Sequence, residues 1–239
     1  MKTTVLGVAY DNITMAEALE RGRELLAGSE TAYCVTPNAE MAYEAMKDPE
    51  FCRVLNGASL VLPDGAGVIL GAKIVRTPLK EKVAGIEFAQ NMLAVFAETG
   101  SRLYLLGSKP GVAELAGKKM LQKQPDLCIC GIRDGYFKDE AEVIRSINEA
   151  GADAVYVCLG SPKQERFMYE HRTELNAKLL VGLGGTLDGI AGTVKRAPRW
   201  MIRMQLEWLY RLCKEPKRFK RMLRLPKYIF AALKTRMKG

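Results

Sequence analysis

The sequence predicts an α/β fold: a mostly parallel sheet with helices on both faces, followed by a basic helical appendage. Three observations carry this. Short apolar runs alternate with longer helical patterns, the signature of βα units. Several of those runs stop at Gly, Pro or Asp, as strands do when they turn into a helix. The charge also divides along the chain. Residues 195–239 hold 15 basic side chains and two acidic ones, Glu207 and Glu215, or +13 within a total of +9. The first 194 residues hold 21 basic and 25 acidic residues and are mildly acidic at −4.

In chain order, the apolar runs predict strands at Ala32–Thr36, Ser59–Leu62, Arg102–Gly107, Leu127–Ile132, Ala154–Leu159 and Lys178–Leu183. Helical spacing fills the intervals with Met15–Ala27, Ala39–Lys47, Gly85–Thr99, Val112–Lys123, Glu140–Glu149 and Lys163–His171. In an open α/β sheet the ligand crevice lies beyond the carboxyl ends of the strands. Thr36-Pro37-Asn38, Pro63-Asp64-Gly65, Gly107-Ser108 and Gly160-Ser161-Pro162 are therefore expected to share one edge. Past Ala197 the pattern changes. One helix is expected over Arg199–Cys213, with Arg203, Glu207 and Arg211 striped at i, i+4 and i+8. A second is expected to open at Pro216 and stop before Pro226, and Tyr228–Leu233 forms a third apolar patch. The chain thus divides into a core, 1–194, and a basic amphipathic appendage, 195–239.

Composition narrows the class. With 239 residues, 48% apolar and 26% charged, the chain has enough material for a real core. No uncharged apolar run reaches the roughly 18 residues a membrane span needs. The start, MKTTVLGVAYDN, does not read as a signal peptide, so the expected location is the cytoplasm. Cys34, Cys128, Cys130 and Cys158 sit in strand-like runs and read as reduced, buried thiols. His171 is the single histidine, which excludes a His-rich metal site and leaves a Ser-His-Asp triad little to use.

Several residues could carry chemistry, and each has a structural alternative. Asp64 is an acid on a glycine-flanked loop after an apolar strand, suited to general-base work or to capping a helix near Ala66. Asn38, after Thr36-Pro37, has the same two readings, with the cap the simpler. Gln164 and Glu165 open a helix, where a first-turn Glu suits the helix dipole. The run Gly182-Leu183-Gly184-Gly185-Thr186-Leu187 fails the dinucleotide fingerprint because Leu187 replaces the third glycine. Its glycines allow either close approach to a ligand or a tight turn. The loop Gly107-Ser108-Lys109-Pro110-Gly111 is a generic anion-binding helix start without Walker spacing.

The motifs Thr36-Pro37-Asn38-Ala39-Glu40, Pro63-Asp64-Gly65-Ala66-Gly67, Gly160-Ser161-Pro162-Lys163-Gln164-Glu165 and Gly184-Gly185-Thr186-Leu187-Asp188-Gly189-Ile190-Ala191-Gly192 occur in that order. Lys195-Arg196-Ala197-Pro198-Arg199-Trp200 and Leu206-Glu207-Trp208-Leu209-Tyr210-Arg211-Leu212 follow. As an ordered set spanning nearly the whole chain they resemble the WecG/TagA/CpsF family of bacterial glycosyltransferases. The resemblance implies a Rossmann-like body with a C-terminal helical appendage. It implies transfer of a sugar from a UDP-sugar donor to a polyprenyl-diphosphate-linked sugar acceptor at the cytoplasmic membrane face. In the teichoic-acid branch these are UDP-N-acetylmannosamine and undecaprenyl-diphosphate-linked N-acetylglucosamine. By motif, Asp64 resembles the catalytic base, with Thr36, Asn38 and Gln164 lining the pocket. Lys82 stands where the family usually has arginine, before Val83-Ala84-Gly85, and offers a diphosphate charge without a bidentate fork.

With no acidic pair evident at a strand end, the sequence predicts transfer without metal or other cofactor. Lys82 and the appendage arginines Arg211, Arg218, Arg221 and Arg224 are expected to meet the donor diphosphate. The same appendage, with six aromatics including Trp200 and Trp208, suits peripheral attachment to an anionic membrane surface. The rival reading is a nucleic-acid-binding protein using that basic tail. The apolar content of Tyr228–Leu233 favours the membrane over nucleic acid. An oxidoreductase is disfavoured by the failed fingerprint, and a homo-oligomer stays open.

Overall fold

A computed structural model describes residues 1–194, 197–198, 200–201, 204, 209–210 and 224–238. It is an α/β fold built on a six-stranded parallel sheet. The strands are β3 (Ala32–Val35), β4 (Leu60–Val61), β5 (Arg102–Gly107), β6 (Cys128–Arg133), β7 (Ala154–Cys158) and β8 (Leu179–Gly182). Their spatial order is β4-β3-β8-β7-β5-β6, every neighbouring pair parallel. Parallel strands send all their carboxyl ends to one edge, so the four loops expected to share an edge do so.

Successive side chains on a strand point to opposite faces, and both faces are apolar here. Tyr33, Val35, Tyr104, Leu106, Val155, Val157 and Leu180 pack into one core cluster. Cys34, Leu103, Leu105, Ala154, Tyr156, Leu179 and Val181 pack into the other. The first face is covered by α2 (Ala39–Ala45), α3 (Pro49–Asn56), α4 (Ala66–Ile74), α7 (Glu140–Glu149), α8 (Lys163–His171) and α10 (Arg224–Lys238). The second is covered by α1 (Met15–Leu26), α5 (Gly85–Thr99), α6 (Val112–Lys123) and α9 (Thr186–Ala191). The helices start where capping chemistry allows. Thr14 and Glu17 form a reciprocal capping box on α1, and Asp48 caps α3 ahead of Pro49.

Three features differ from the pattern read in the sequence. The chain opens with an antiparallel hairpin, β1 (Lys2–Val5) and β2 (Val8–Asp11), that the apolar pattern does not announce. It covers the two-residue edge strand β4, where the Asp11 carboxylate accepts the Val61 N–H at 2.8 Å. Cys128 and Cys130 are not core thiols. They lie on β6, the far edge strand, where Cys128 is exposed and Cys130 half-buried at a register shift against β5. Cys34 and Cys158 are buried as expected, and burial pushes the Cys158 thiol up to about 12. Finally, Pro226 does not divide a second helix from the Tyr228–Leu233 patch, because one helix runs across it. α10 starts at Arg224 and holds Pro226 in its first turn, where a missing N–H costs nothing. The helices expected over Arg199–Cys213 and from Pro216 onward lie largely outside the described residues.

α10 is docked, not trailing. Its Tyr228 and Ala232 are fully buried in the first core cluster. The docking surface is a pair of glycines one turn apart on α4. A methyl group at Gly67 would stand 2.8 Å from Leu225 Cδ1, and one at Gly71 would stand 2.3 Å from the Tyr228 hydroxyl. Only bare backbone at both positions lets the two helices come this close.

Candidate active site

The candidate residues come from loops at the carboxyl edge of the sheet, and contacts join them into an arc. Thr36, buried at the end of β3, donates its hydroxyl to the Gly182 carbonyl at the end of β8, 3.1 Å away. The N-terminus of α5 presses on the same side chain, since a Cβ at Gly85 would sit 3.0 Å from the Thr36 methyl. Asn38 caps α2, its Oδ1 accepting from the N–H groups of Glu40 (2.9 Å) and Met41 (3.1 Å). The cap reading therefore holds for Asn38, and what it can still turn to a ligand is its amide nitrogen.

Asp64 behaves differently. It is half-buried, and the N-cap position of α4 is not Asp64 but Gly65, at φ 88°. A left-handed backbone at Gly65 costs glycine little and would strain any other residue. Gly65 lies against Asn38, its notional Cβ 3.9 Å from Asn38 Cβ. The Val83 N–H donates to the Pro63 carbonyl at 3.0 Å, which brings half-buried Lys82 alongside the Asp64 loop. Beneath the loop is Tyr10 of β2. Burial first, and then the charges of Tyr228 and Asp64, raise its phenol well above the ordinary value.

On the other side of Thr36, Gln164 lies in the first turn of α8. Its Oε1 accepts the Gly184 N–H at 2.8 Å and its Nε2 donates to Glu165 Oε1 at 2.6 Å. Glu165, read from the sequence as a helix-dipole partner, is instead completely buried. Burial raises its carboxyl pKa, by more than the Gln164 hydrogen bond lowers it. Gly184, at φ 54°, makes the tight turn that its sequence allowed. The neighbouring loop after β5 is tied in through Ser108, whose hydroxyl donates to Asp188 at 2.9 Å.

Not every candidate joins the arc. Arg224 opens α10 and pairs with Glu44 of α2, six residues on from Asn38 and about 9 Å along the helix axis. Arg211, Arg218 and Arg221 lie outside the described residues. His171 sits at the opposite end of α8, between Glu140 (2.9 Å) and Glu174 (2.8 Å), and has no part in a triad at this edge. Among the described residues no three His, Cys, Asp or Glu side chains are grouped to hold a metal. The arrangement offers the Asp64 carboxylate, the Lys82 ammonium and several amide and hydroxyl groups. That set can take a proton from a hydroxyl and bind a polar, anionic ligand.

The description "Glycosyl transferase WecG/TagA/CpsF family" matches residues 3–239. A Bacillus subtilis (strain 168) protein named N-acetylglucosaminyldiphosphoundecaprenol N-acetyl-beta-D-mannosaminyltransferase is 39% identical over 199 residues, covering 83% of this chain and 78% of its own. A protein of the same name from Bacillus spizizenii is 39% identical over 203 residues, 85% of this chain and 79% of its own. One of the same name from Staphylococcus aureus (strain MRSA252) is 30% identical over 240 residues, 99% of this chain and 94% of its own.

Proposed function

The chain belongs to the WecG/TagA/CpsF family of glycosyltransferases, and we propose that it transfers N-acetylmannosamine, or a related sugar, from a UDP-sugar to undecaprenyl-diphosphate-linked N-acetylglucosamine. The product enters teichoic acid or another cell-surface polysaccharide. Beyond the relatives' names, one observation carries the reading. The Asp64 loop, Thr36, Asn38 and Gln164 form one arc on the ligand edge of the sheet, and the backbone bond from Val83 to Pro63 brings the Lys82 segment against that loop.

In this reading Asp64 takes the proton of the acceptor hydroxyl as its oxygen attacks the anomeric carbon. The bond from that carbon to the UDP oxygen breaks, and the electron pair leaves with the diphosphate. Lys82 and the appendage arginines Arg211, Arg218 and Arg221 balance that charge, so no metal ion is required. Thr36, Asn38 and Gln164 orient the donor.

Attachment to the cytoplasmic face of the membrane belongs to the same proposal. Among the described residues no helix is long and apolar enough to cross a membrane. The outward face of α10, however, presents Phe230, Leu233 and Met237 at 68%, 42% and 77% exposure. Lys227 and Lys234 lie on the same stripe. This amphipathic face suits an anionic leaflet better than nucleic acid.

A panel of UDP-sugars, offered with a short-chain lipid-diphosphate N-acetylglucosamine acceptor and excess EDTA, tests the reaction. Turnover of UDP-N-acetylmannosamine that survives EDTA is the expected result. No transfer from any UDP-hexosamine would overturn the assignment, and strict dependence on added magnesium or manganese would overturn its metal-free form.

A further inference from the structure

Taking the assignment of Gln164 to the donor pocket as its basis, we infer that Glu165 is a positioning residue. With the Gly184 amide it holds the Gln164 carboxamide in one orientation, leaving a single N–H to meet an acceptor oxygen of the sugar nucleotide. A glutamine carboxamide has two N–H donors and one carbonyl oxygen. Here the oxygen is taken by the Gly184 N–H at 2.8 Å and one N–H by Glu165 Oε1 at 2.6 Å. Flipping the amide would set its carbonyl against a carboxyl oxygen and its NH₂ against an N–H donor. Both contacts oppose the flip. The third wall is Gly182, where a Cβ would stand 3.1 Å from Gln164 Nε2 and 2.7 Å from the Met168 methyl.

The cost of the arrangement argues that it serves ligand recognition. Glu17, Glu50, Glu114 and Glu142, in the first turns of other helices, are exposed, as helix-dipole partners normally are. Glu165 is 0% exposed and Gln164 3%, and Glu165 Oε2 has no hydrogen-bond partner. A buried polar group left unpartnered is destabilising, and a well-packed apolar side chain would serve the fold better. The ligand class follows from the inventory. One fixed N–H selects an oxygen acceptor, such as a carbonyl, hydroxyl or phosphate oxygen, and disfavours a group that can only donate.

The test measures KM for the UDP-sugar and kcat for the full chain carrying Gln164→Met, Glu165→Met, both together, or Glu165→Gln. Each methionine variant should raise KM about tenfold, the scale of one hydrogen bond. The double variant should be no worse than Gln164→Met alone, because residues acting as one unit are not additive. The conservative Glu165→Gln, which still presents an acceptor oxygen to Gln164, should restore most of the affinity that Glu165→Met loses. Multiplying KM effects in the double variant would overturn the inference alone, since Glu165 would then act independently of Gln164. An unchanged KM and kcat in Gln164→Met would overturn the donor-pocket assignment and the inference with it. If Glu165→Met does not accumulate, nearly isosteric Glu165→Gln decides. A KM within about threefold of the parent supports an acceptor-only role, and a loss as large as that of Gln164→Met overturns it.

Discussion

Asp64 and Asn38 occupy equivalent places, each just past a strand and ahead of a helix, yet the backbone gives them different work. Asn38 is the cap of α2 and spends its Oδ1 on two backbone N–H groups. Asp64 stands one residue before the cap of α4, because Gly65 takes that position with a left-handed φ. Asp64 is thereby set back from the helix start, and its carboxylate is not the group that caps α4. Asp64→Asn should therefore lower kcat by about two to four orders of magnitude, the usual worth of general-base help. The melting temperature should hardly move. Turnover close to that of the parent would reduce Asp64 to a structural residue.

At the level of elements, two junctions decide how the helices sit. The first is α4 against α10. Gly71→Ala would drive a methyl group to 2.3 Å from the Tyr228 hydroxyl and 2.7 Å from its ring, so that something must shift. Overpacking of this kind typically costs about 1–3 kcal/mol. Chemical denaturation should report that loss, and protease cleavage near α10 should accelerate. Unchanged stability and cleavage would show that the glycine pair does not govern docking. The second junction joins α7 and α8 through His171, Glu140 and Glu174. Burial alone would lower the imidazole pKa, but hydrogen bonds and charge from the two glutamates outweigh it and raise it above 6.5. A raised folded pKa means the stabilisation is fully present below the unfolded value and fades as pH rises through the folded one. The melting temperature gap between the parent and His171→Gln should accordingly be widest near pH 6 and shrink by pH 8.5, within the usual histidine range. A gap that grew with pH would contradict the ion-pair account.

For the molecule as a whole, α10 both completes the core and carries an exposed apolar stripe. Tyr228 and Ala232 point inward to the cluster shared with α2 and α4, while Phe230, Leu233 and Met237 point outward. Removing residues 195–239 would strip the core as well as the basic charge, so substitution on the outer face is the cleaner experiment. Phe230, Leu233 and Met237 all replaced by Ser should leave the melting temperature nearly unchanged. The variant should reduce flotation with anionic liposomes, and high salt should release the parent protein as basic side chains, each worth about 1 kcal/mol near the leaflet, are screened. Equal flotation of the triple variant would show that this face of α10 does not bind the leaflet.

The parallel α/β layout and the edge on which the candidate residues gather were legible in the residues alone. Strand periodicity and the Gly, Pro and Asp stops are local properties, and a parallel sheet sends every strand end the same way. Helices α5, α6, α7 and α8 fall on the residues their spacing predicts. The N-terminal hairpin was less legible, because its two-residue turn puts Leu6 and Gly7 at φ 50° and 86° where Asn-Gly would be the plain signal. That Cys128 lies on an exposed edge, and that Gly67 and Gly71 form a docking face, depends on packing between distant segments. The same is true of Glu165, which spacing reads as a first-turn acid and the fold buries beside Gln164. Periodicity tells which side chains share a face, but what covers that face depends on strand order and on helices far away in the chain. Burial, and with it the chemistry of a buried carboxyl, is set there.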